Sequence, residues 1–310
     1  MWPRILRFLL SSAVVAFISR NSKKIILPGF EKLPLYDVAG FFWKGITKGA
    51  LPMRASAVSF SFFLALFPSI IFIFTLIPYI PIPDFQDQLL DLLQKVMPHN
   101  AYEATKDTIM DIVTNQRGGL LSIGFVSALY FSTNGFNALI TAFNGTYHVI
   151  ETRTAFQQRL VSILLVIIST VLMTLAIGLI IASEISLHFV FKESSTAFYL
   201  ITVGRSIILF SLFYSLISFT YFLGPSRKAG WRFASAGSMF ATVLSLFTSL
   251  GFAYYVNNFG QYNKLYGSIG TLLVVLLWIY FNSLMILLGF ELNASIHLAK
   301  NQSKAEPEQK

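Results

Sequence analysis

Along most of this chain apolar and polar residues do not alternate; they separate into blocks. Residues 55–80 hold no charged side chain, and comparable apolar blocks recur at 120–143, 160–183, 198–223, 233–256 and 268–292. A helix needs about 20 residues to cross the hydrocarbon core of a bilayer, and each block has that length. A transmembrane barrel would instead show ~10-residue segments of alternating hydrophobicity. The pattern predicts an all-α fold, a polytopic membrane helical bundle with six transmembrane helices. The second block is the least uniform, because Ser132-Thr133-Asn134-Gly135 interrupts it.

The remaining pieces are amphipathic or polar. Phe8 to Ile18 is apolar but too short to span, and no small-x-small cleavage site follows it, so it reads as an interfacial helix. LPLYDVAGFFWKGITKGA (33–50) sets Phe41, Phe42 and Trp43 beside Lys44, which predicts a helix on the membrane surface with lysines toward anionic headgroups. In the loop 84–117, Leu89, Leu92, Leu93 and Val96 recur at helical spacing. Pro98 to Asn100 breaks that helix and a second one follows, so the loop should cap the bundle. Residues 299–310 are polar and expected to be a disordered tail. The chain divides into interfacial helices (1–52), a membrane domain (53–298) and the tail. No internal repeat stands out, so an inverted-repeat transporter is not implied.

Charge adds an orientation. Arg4, Arg7, Arg20, Lys23, Lys24, Lys32, Lys44, Lys48 and Arg54 precede or open the first span, whereas the next loop carries Asp84, Asp87, Asp91, Glu103, Asp107 and Asp111. Later loops alternate between basic (Arg153, Arg159; Arg227, Lys228, Arg232) and nearly neutral (Lys192; Lys264). The positive-inside rule then places both termini in the cytoplasm, as an even number of spans requires. Only 12% of residues are charged and 55% are hydrophobic, against roughly 25% charged in soluble domains. The net charge of +9 is accordingly a topology signal, and no nucleic-acid partner is expected. The absence of cysteine excludes disulfide and thiolate chemistry.

Ionisable residues within spans are candidates for function. Arg54 sits at the inner end of the first span and Glu291 near the inner boundary of the sixth. Glu184 closes the third span on the outer side, and Arg205 lies ~10 Å from the outer end of the fourth. The depths suggest two pairs, Arg54 with Glu291 and Glu184 with Arg205; the alternative is that each snorkels to headgroups or water. At about 100° per residue Asn282, Gly289 and Asn293 share one face of the sixth span, with Glu291 roughly opposite Asn282. Such a face marks helix packing or a polar cavity. Pro68 falls mid-span and frees a carbonyl. His99, His148, His188 and His297 are scattered, and no HExxH, GxSxG, P-loop or GxGxxG occurs, so no metal, cofactor or catalytic set is expected. The stretch NNFGQYNKLYGSIG (257–270) is rich in turn formers, with Ser268 placed to N-cap the sixth span. It reads first as an external turn, and alternatively as a loop folded over an outer cavity near Arg205.

Several stretches resemble one family. ASAVSFSFFLALFPSI (55–70), FNGTYHV (143–149), NNFGQYNKLYGSIG and LLVVLLWIYFNSLMILLGFELNA (272–294) are similar to segments of the YihY/virulence factor BrkB family of bacterial inner-membrane proteins. The basic GPSRKAGWR (224–232) before the fifth span fits the same order. The resemblance covers about 40–298. It implies a six-span bundle in the cytoplasmic membrane, with motif positions Pro68, Asn144, Tyr147, Gly260, Tyr262, Tyr266, Gly267, Glu291 and Asn293. Gly145 stands where the family often has a basic residue, which weighs against a phosphate contact by that loop. Members were once labelled ribonuclease BN; with no acidic metal cluster in the sequence, that label reads as a misassignment. Two functions follow as expectations. One is translocation of a lipid, ion or small amphiphile, with membrane lipids as partners. The other is a structural or partner-binding role in the envelope. A membrane-embedded enzyme is a third, lesser reading, and monomer and homo-oligomer both stay open.

Overall fold

The computed structural model describes residues 29–31, 33–79, 86–87, 90–91, 94, 99–146, 153–190, 196–226, 233–259 and 268–305. Within them the fold is helical. The helices are α1 (Leu35–Lys48), α2 (Leu51–Leu76, extended by a 3-10 turn at Ile77–Tyr79), α3 (His99–Thr114) and α4 (Gly118–Asn144). They continue with α5 (Ala155–Val190), α6 (Thr196–Leu223), α7 (Ala236–Phe259) and α8 (Ser268–Ala305). Five segments are long and apolar enough to cross a membrane: Leu51–Tyr79, Ala155–Ser183, Phe198–Leu223, Ala236–Asn257 and Gly270–Ser303. The remaining expected span, the second in chain order, is α4, of 27 residues, or ~40 Å at 1.5 Å per residue. Its composition falls short because Asn134 and Asn137 interrupt the apolar run. Those side chains are turned to protein: Arg159 of α5 donates to Asn134, and Gln158 Nε2 donates to Asn137 Oδ1 (2.8 Å) and Thr141 Oγ1 (3.0 Å).

Helix starts are set locally. Thr154 and Gln157 form a capping box before α5: Thr154 N–H donates to Gln157 Oε1 at 3.1 Å, and Gln157 N–H donates to Thr154 Oγ1 at 3.3 Å. Ser235 and Ser238 exchange equivalent bonds (3.2 and 3.1 Å), which starts α7 at Ala236 rather than at 233. Replacing Thr154 with Ala is expected to cost about 1 kcal/mol. Faster amide exchange confined to the first turn of α5 would report it. Pro52 sits in the first turn of α2, where no intrahelical N–H bond is lost. Pro68 lies inside α2, which runs on through it.

The long helices close into a ring: α2 packs on α4, α4 on α5, α5 on α6, α6 on α7, α7 on α8, and α8 back on α2. We call base the end where α2, α5 and α7 begin and α4 and α6 finish; the rim is opposite. Packing is concentrated at the base. Leu51, Ala55, Val58, Leu139, Phe143, Ile217, Tyr221, Ala241, Leu287 and Phe290 form one buried cluster there. Toward the rim, 198–216 of α6, 246–257 of α7 and 271–282 of α8 contain no buried residue.

One expectation changes. The tail expected from 299 is helical as far as Ala305. Ala299 packs with Phe30, Leu33, Val38 and Ile296, and Lys300 pairs with Glu31, so tertiary contacts hold a segment whose composition alone reads as disordered. The apolar segment of the third span ends at Ser183, next to Glu184, while the α5 helix itself continues to Val190. The surface helix of 33–50 forms as α1, and it docks: Val38 is buried and the Phe42 ring meets Phe240 edge-on at 6.2 Å. In the loop 84–117 the second helix is α3, which packs on the turn Ile77–Tyr79. Its end is tied by Asp111, held below the usual carboxylate range by hydrogen bonds from Arg117 and Asn115. Most of the first loop helix, the N-terminal helix at 8–18 and residues 306–310 lie outside the described residues.

Candidate functional site

The base holds a buried polar centre built from four helices. Arg54 stands one turn into α2 and points across to the end of α4. Its Nη1 donates to Ala142 O at 2.7 Å and to Thr146 Oγ1 at 3.1 Å. Those acceptors are a free carbonyl and a hydroxyl at a helix C-terminus, where a cation is favoured. Glu291 of α8 faces the same space, with Oε2 4.0 Å from Arg54 Nη2. Its side chain is 2% exposed and that of Arg54 12%. A charge-assisted hydrogen bond would need about 2.7–2.9 Å, so this pair is coulombic only. Arg54 Nε and Nη2 make no hydrogen bond.

α1 closes this centre from below with two glycines one turn apart. A Cβ on Gly45 would stand 1.8 Å from Glu291 Oε1, and one on Gly49 would stand 2.7 Å from Arg54 Nη2. Only hydrogen at both positions lets the α1 backbone lie directly on the pair. Above it sits an aromatic plug. Phe143 stacks on Phe290 with centroids 4.1 Å apart, and Tyr221 meets both rings edge-on at 5.5 and 5.7 Å. The Tyr221 hydroxyl donates to Ile286 O. Together the pair and the plug shut the ring at its base.

The other sequence candidates distribute around this centre. Asn293 caps α7: its Oδ1 accepts from Gly237 N–H at 2.8 Å, and its Nδ2 donates to Ser235 Oγ at 2.8 Å. Gly289 lies against Gly237. Asn282 donates to Trp278 O at 2.9 Å and accepts from Ser249 at 3.4 Å. The polar face of the sixth span is therefore a packing face against α7, while Glu291 looks away from it toward α2. Asn144 accepts from Ser226 N–H at 3.3 Å, tying α4 to the end of α6. Arg153 caps α6 through Gly224 O (2.8 Å) and Leu223 O (3.2 Å). Near the rim Arg205 Nη1 donates to Ser183 Oγ at 3.3 Å, one residue before Glu184 on α5. The side chain of Glu184, and Tyr147, Gly260, Tyr262, Tyr266 and Gly267, lie outside the described residues.

Also in the rim half, α7 and α8 border an open groove of about 330 Å³ lined by Ser249, Phe252, Ala253, Val274, Val275 and Trp278, among others. The lining is mostly apolar, and the Trp278 indole donates to Ser249 Oγ at 3.2 Å within it. Sequence reasoning missed Gly45, Gly49, Thr146, Tyr221 and Gly237. Each acts through what its backbone or tip touches across a helix boundary. Only the i, i+4 spacing of Gly45 and Gly49 was a signal in the sequence itself.

The family model described as virulence factor BrkB matches residues 42–310. A putative ribonuclease-like protein, YfkH, of Bacillus subtilis is 31% identical over 263 residues, covering 82% of this chain and 93% of the relative. A UPF0761 membrane protein of Aggregatibacter aphrophilus is 23% identical over 274 residues, covering 86% and 95%. One of Haemophilus influenzae is 23% identical over 259 residues, covering 82% and 93%. The ribonuclease-like description belongs to the Bacillus relative, and the other two are described only as membrane proteins. No solved structure matches the chain.

Proposed function

The chain belongs to the virulence factor BrkB family of membrane proteins, and from that premise we propose that it translocates or handles a lipid, ion or small amphiphile in the bacterial cytoplasmic membrane. In this reading six helices span the bilayer, α4 among them, and the base with both termini faces the cytoplasm. The inward-turned Asn134 and Asn137 support α4 as a span, because their polar groups meet Arg159 and Gln158 instead of lipid. The basic residues of the loops after α4 and α6 support the orientation.

One observation carries the reading. The ring is sealed at one end by a buried ion pair under an aromatic plug, and toward the other end 198–216 of α6, 246–257 of α7 and 271–282 of α8 bury no residue, while α2 and α4 stay packed there through Thr75 and Gly124. A bundle that served only as a scaffold would gain from packing along its whole length. A path closed at one side and open at the other is what alternating access requires. The competing reading is a structural or partner-binding role, favoured by α3 packed against the rim end of α2.

Purified protein in liposomes tests this. Lipid scrambling and the flux of a broad panel of ions and amphiphiles are measured for the parent, Glu291→Gln and Arg205→Ala. The proposal expects at least one substrate to move with the parent, and about a tenfold slower rate in Glu291→Gln at equal folded yield. No movement of any panel member by the parent transfers the case to the structural role.

A further inference from the structure

We propose that Arg54 is the receptor for a phosphoryl group, and that Glu291 competes with that group for the same edge of the guanidinium. The inference deepens the proposed function by naming the chemistry of what is bound, and it rests on that reading for its place in a transport cycle. The binding itself stands on geometry.

A guanidinium presents its donors as forks. In Arg54 the Nη1 corner is committed to Ala142 O and Thr146 Oγ1. The Nε and Nη2 hydrogens point the same way and form the side-on fork that fits two oxygens of a phosphate or carboxylate. Both atoms are buried and neither makes a hydrogen bond. A buried donor left unmade costs about 1–3 kcal/mol, so an arrangement that leaves two on one edge is built for an acceptor. Glu291 is the nearest, yet it stands off at 4.0 Å. The carboxylate neutralises the charge without filling the fork.

Why a phosphoryl group rather than a second side chain? The fork opens beneath α1, where Gly49 brings no side chain within reach of Nη2. α1 is the amphipathic helix at the base, with Trp43 67% exposed and Lys44 over the Phe41 ring at 5.8 Å, a composition suited to the headgroup layer. The anions abundant in that layer are phosphates. Rocking α1 away at the Gly49–Ala50 turn would join the fork to the headgroup region or the adjoining water. Ala50 there is left-handed (φ 47°), a backbone state that a non-glycine residue holds only where the surrounding structure imposes it.

Competition fixes a sign. Among the described residues Arg54 is the one charged group set against Glu291; α1 offers Gly45 there, and α4 and α7 carry no charged residue. When Glu291 is ionised it holds the fork by attraction and repels an incoming anion. When it takes up a proton both effects vanish. Phosphate binding should therefore strengthen as pH falls through the Glu291 titration and weaken as pH rises.

The test uses the full chain in nonionic detergent, with inorganic phosphate and short-chain phosphatidic acid as probes, read by titration calorimetry between pH 5 and 8. The parent should bind, more tightly at the acid end. Glu291→Gln should bind at least fivefold more tightly at pH 8 and keep only the pH dependence set by the probes' own second ionisation, a gain that a misfolded protein cannot produce. Arg54→Lys keeps the charge but not the fork and should weaken binding about tenfold or more. Binding of phosphatidic acid alone identifies a lipid headgroup as the source; binding of both probes admits free phosphate. No saturable binding of either probe, or an unchanged affinity and pH profile in Glu291→Gln, overturns the assignment. Binding without flux in the liposome assay sinks the transport reading and leaves this one standing, whereas flux without phosphate binding does the reverse.

Discussion

Arg54→Ala is expected to lower stability by about 3 kcal/mol, as breaking a buried ion pair from one side usually does. The loss has two parts. The ties from α2 to Ala142 O and Thr146 Oγ1 at the end of α4 disappear. In addition, Glu291, with 2% of its side chain exposed, is left as an uncompensated carboxylate beneath Phe290. Glu291→Ala should cost a comparable amount, because the guanidinium then lacks its counter-charge. Adding Glu291→Ala to Arg54→Ala should therefore cost much less than the two single losses together. Thermal unfolding of the four proteins of this cycle in detergent gives the coupling. Strictly additive losses would mean that the pair is not an energetic unit.

Gly237→Ala should be nearly as damaging, for a steric reason. A Cβ there would sit 2.1 Å from Gly289 O and 2.5 Å from Asn293 Oδ1, and backbone cannot swing aside. α7 and α8 must separate, which strains the Asn293 cap on Gly237 and opens the contact with Tyr221, whose hydroxyl lies 2.6 Å from a Cβ placed on Gly289. A cost of about 1–3 kcal/mol is expected from overpacking, against a slight gain for Gly178→Ala, where a methyl would meet nothing within 4 Å. Melting temperatures of the two variants decide it. Equal behaviour would contradict the close crossing at the base.

Much of this was legible in the apolar blocks, and the reason differs by element. α2, α5 and α6 are uniform enough that length alone defines them. The pairing of Arg54 with Glu291 could be anticipated because helix rise converts sequence position into depth, and two groups at one depth in a ring can meet. The extension of α8 to Ala305 could not, because Ala299 and Lys300 owe their helical state to Phe30, Val38 and Glu31 far back in the chain. Asn134 weakened the expectation of a span in α4 for the same reason: its partner Arg159 lies in another helix. Gly45 and Gly49 showed in the sequence only as an i, i+4 spacing, because a glycine's role is defined by what a Cβ would have struck.

The central claim is a ring shut at the base and open to water toward the rim, and the chain's lack of cysteine makes it directly measurable. Leu276 and Leu287 share a face of α8, three helical turns apart. Leu287 is buried in the base cluster and Leu276 lies in the stretch of α8 that buries nothing. In oriented vesicles a membrane-impermeant maleimide, added from the rim side, should label Leu276→Cys rapidly and leave Leu287→Cys unmodified. Protection of both positions, with a cysteine in the loop before α8 still labelled, would contradict the open rim.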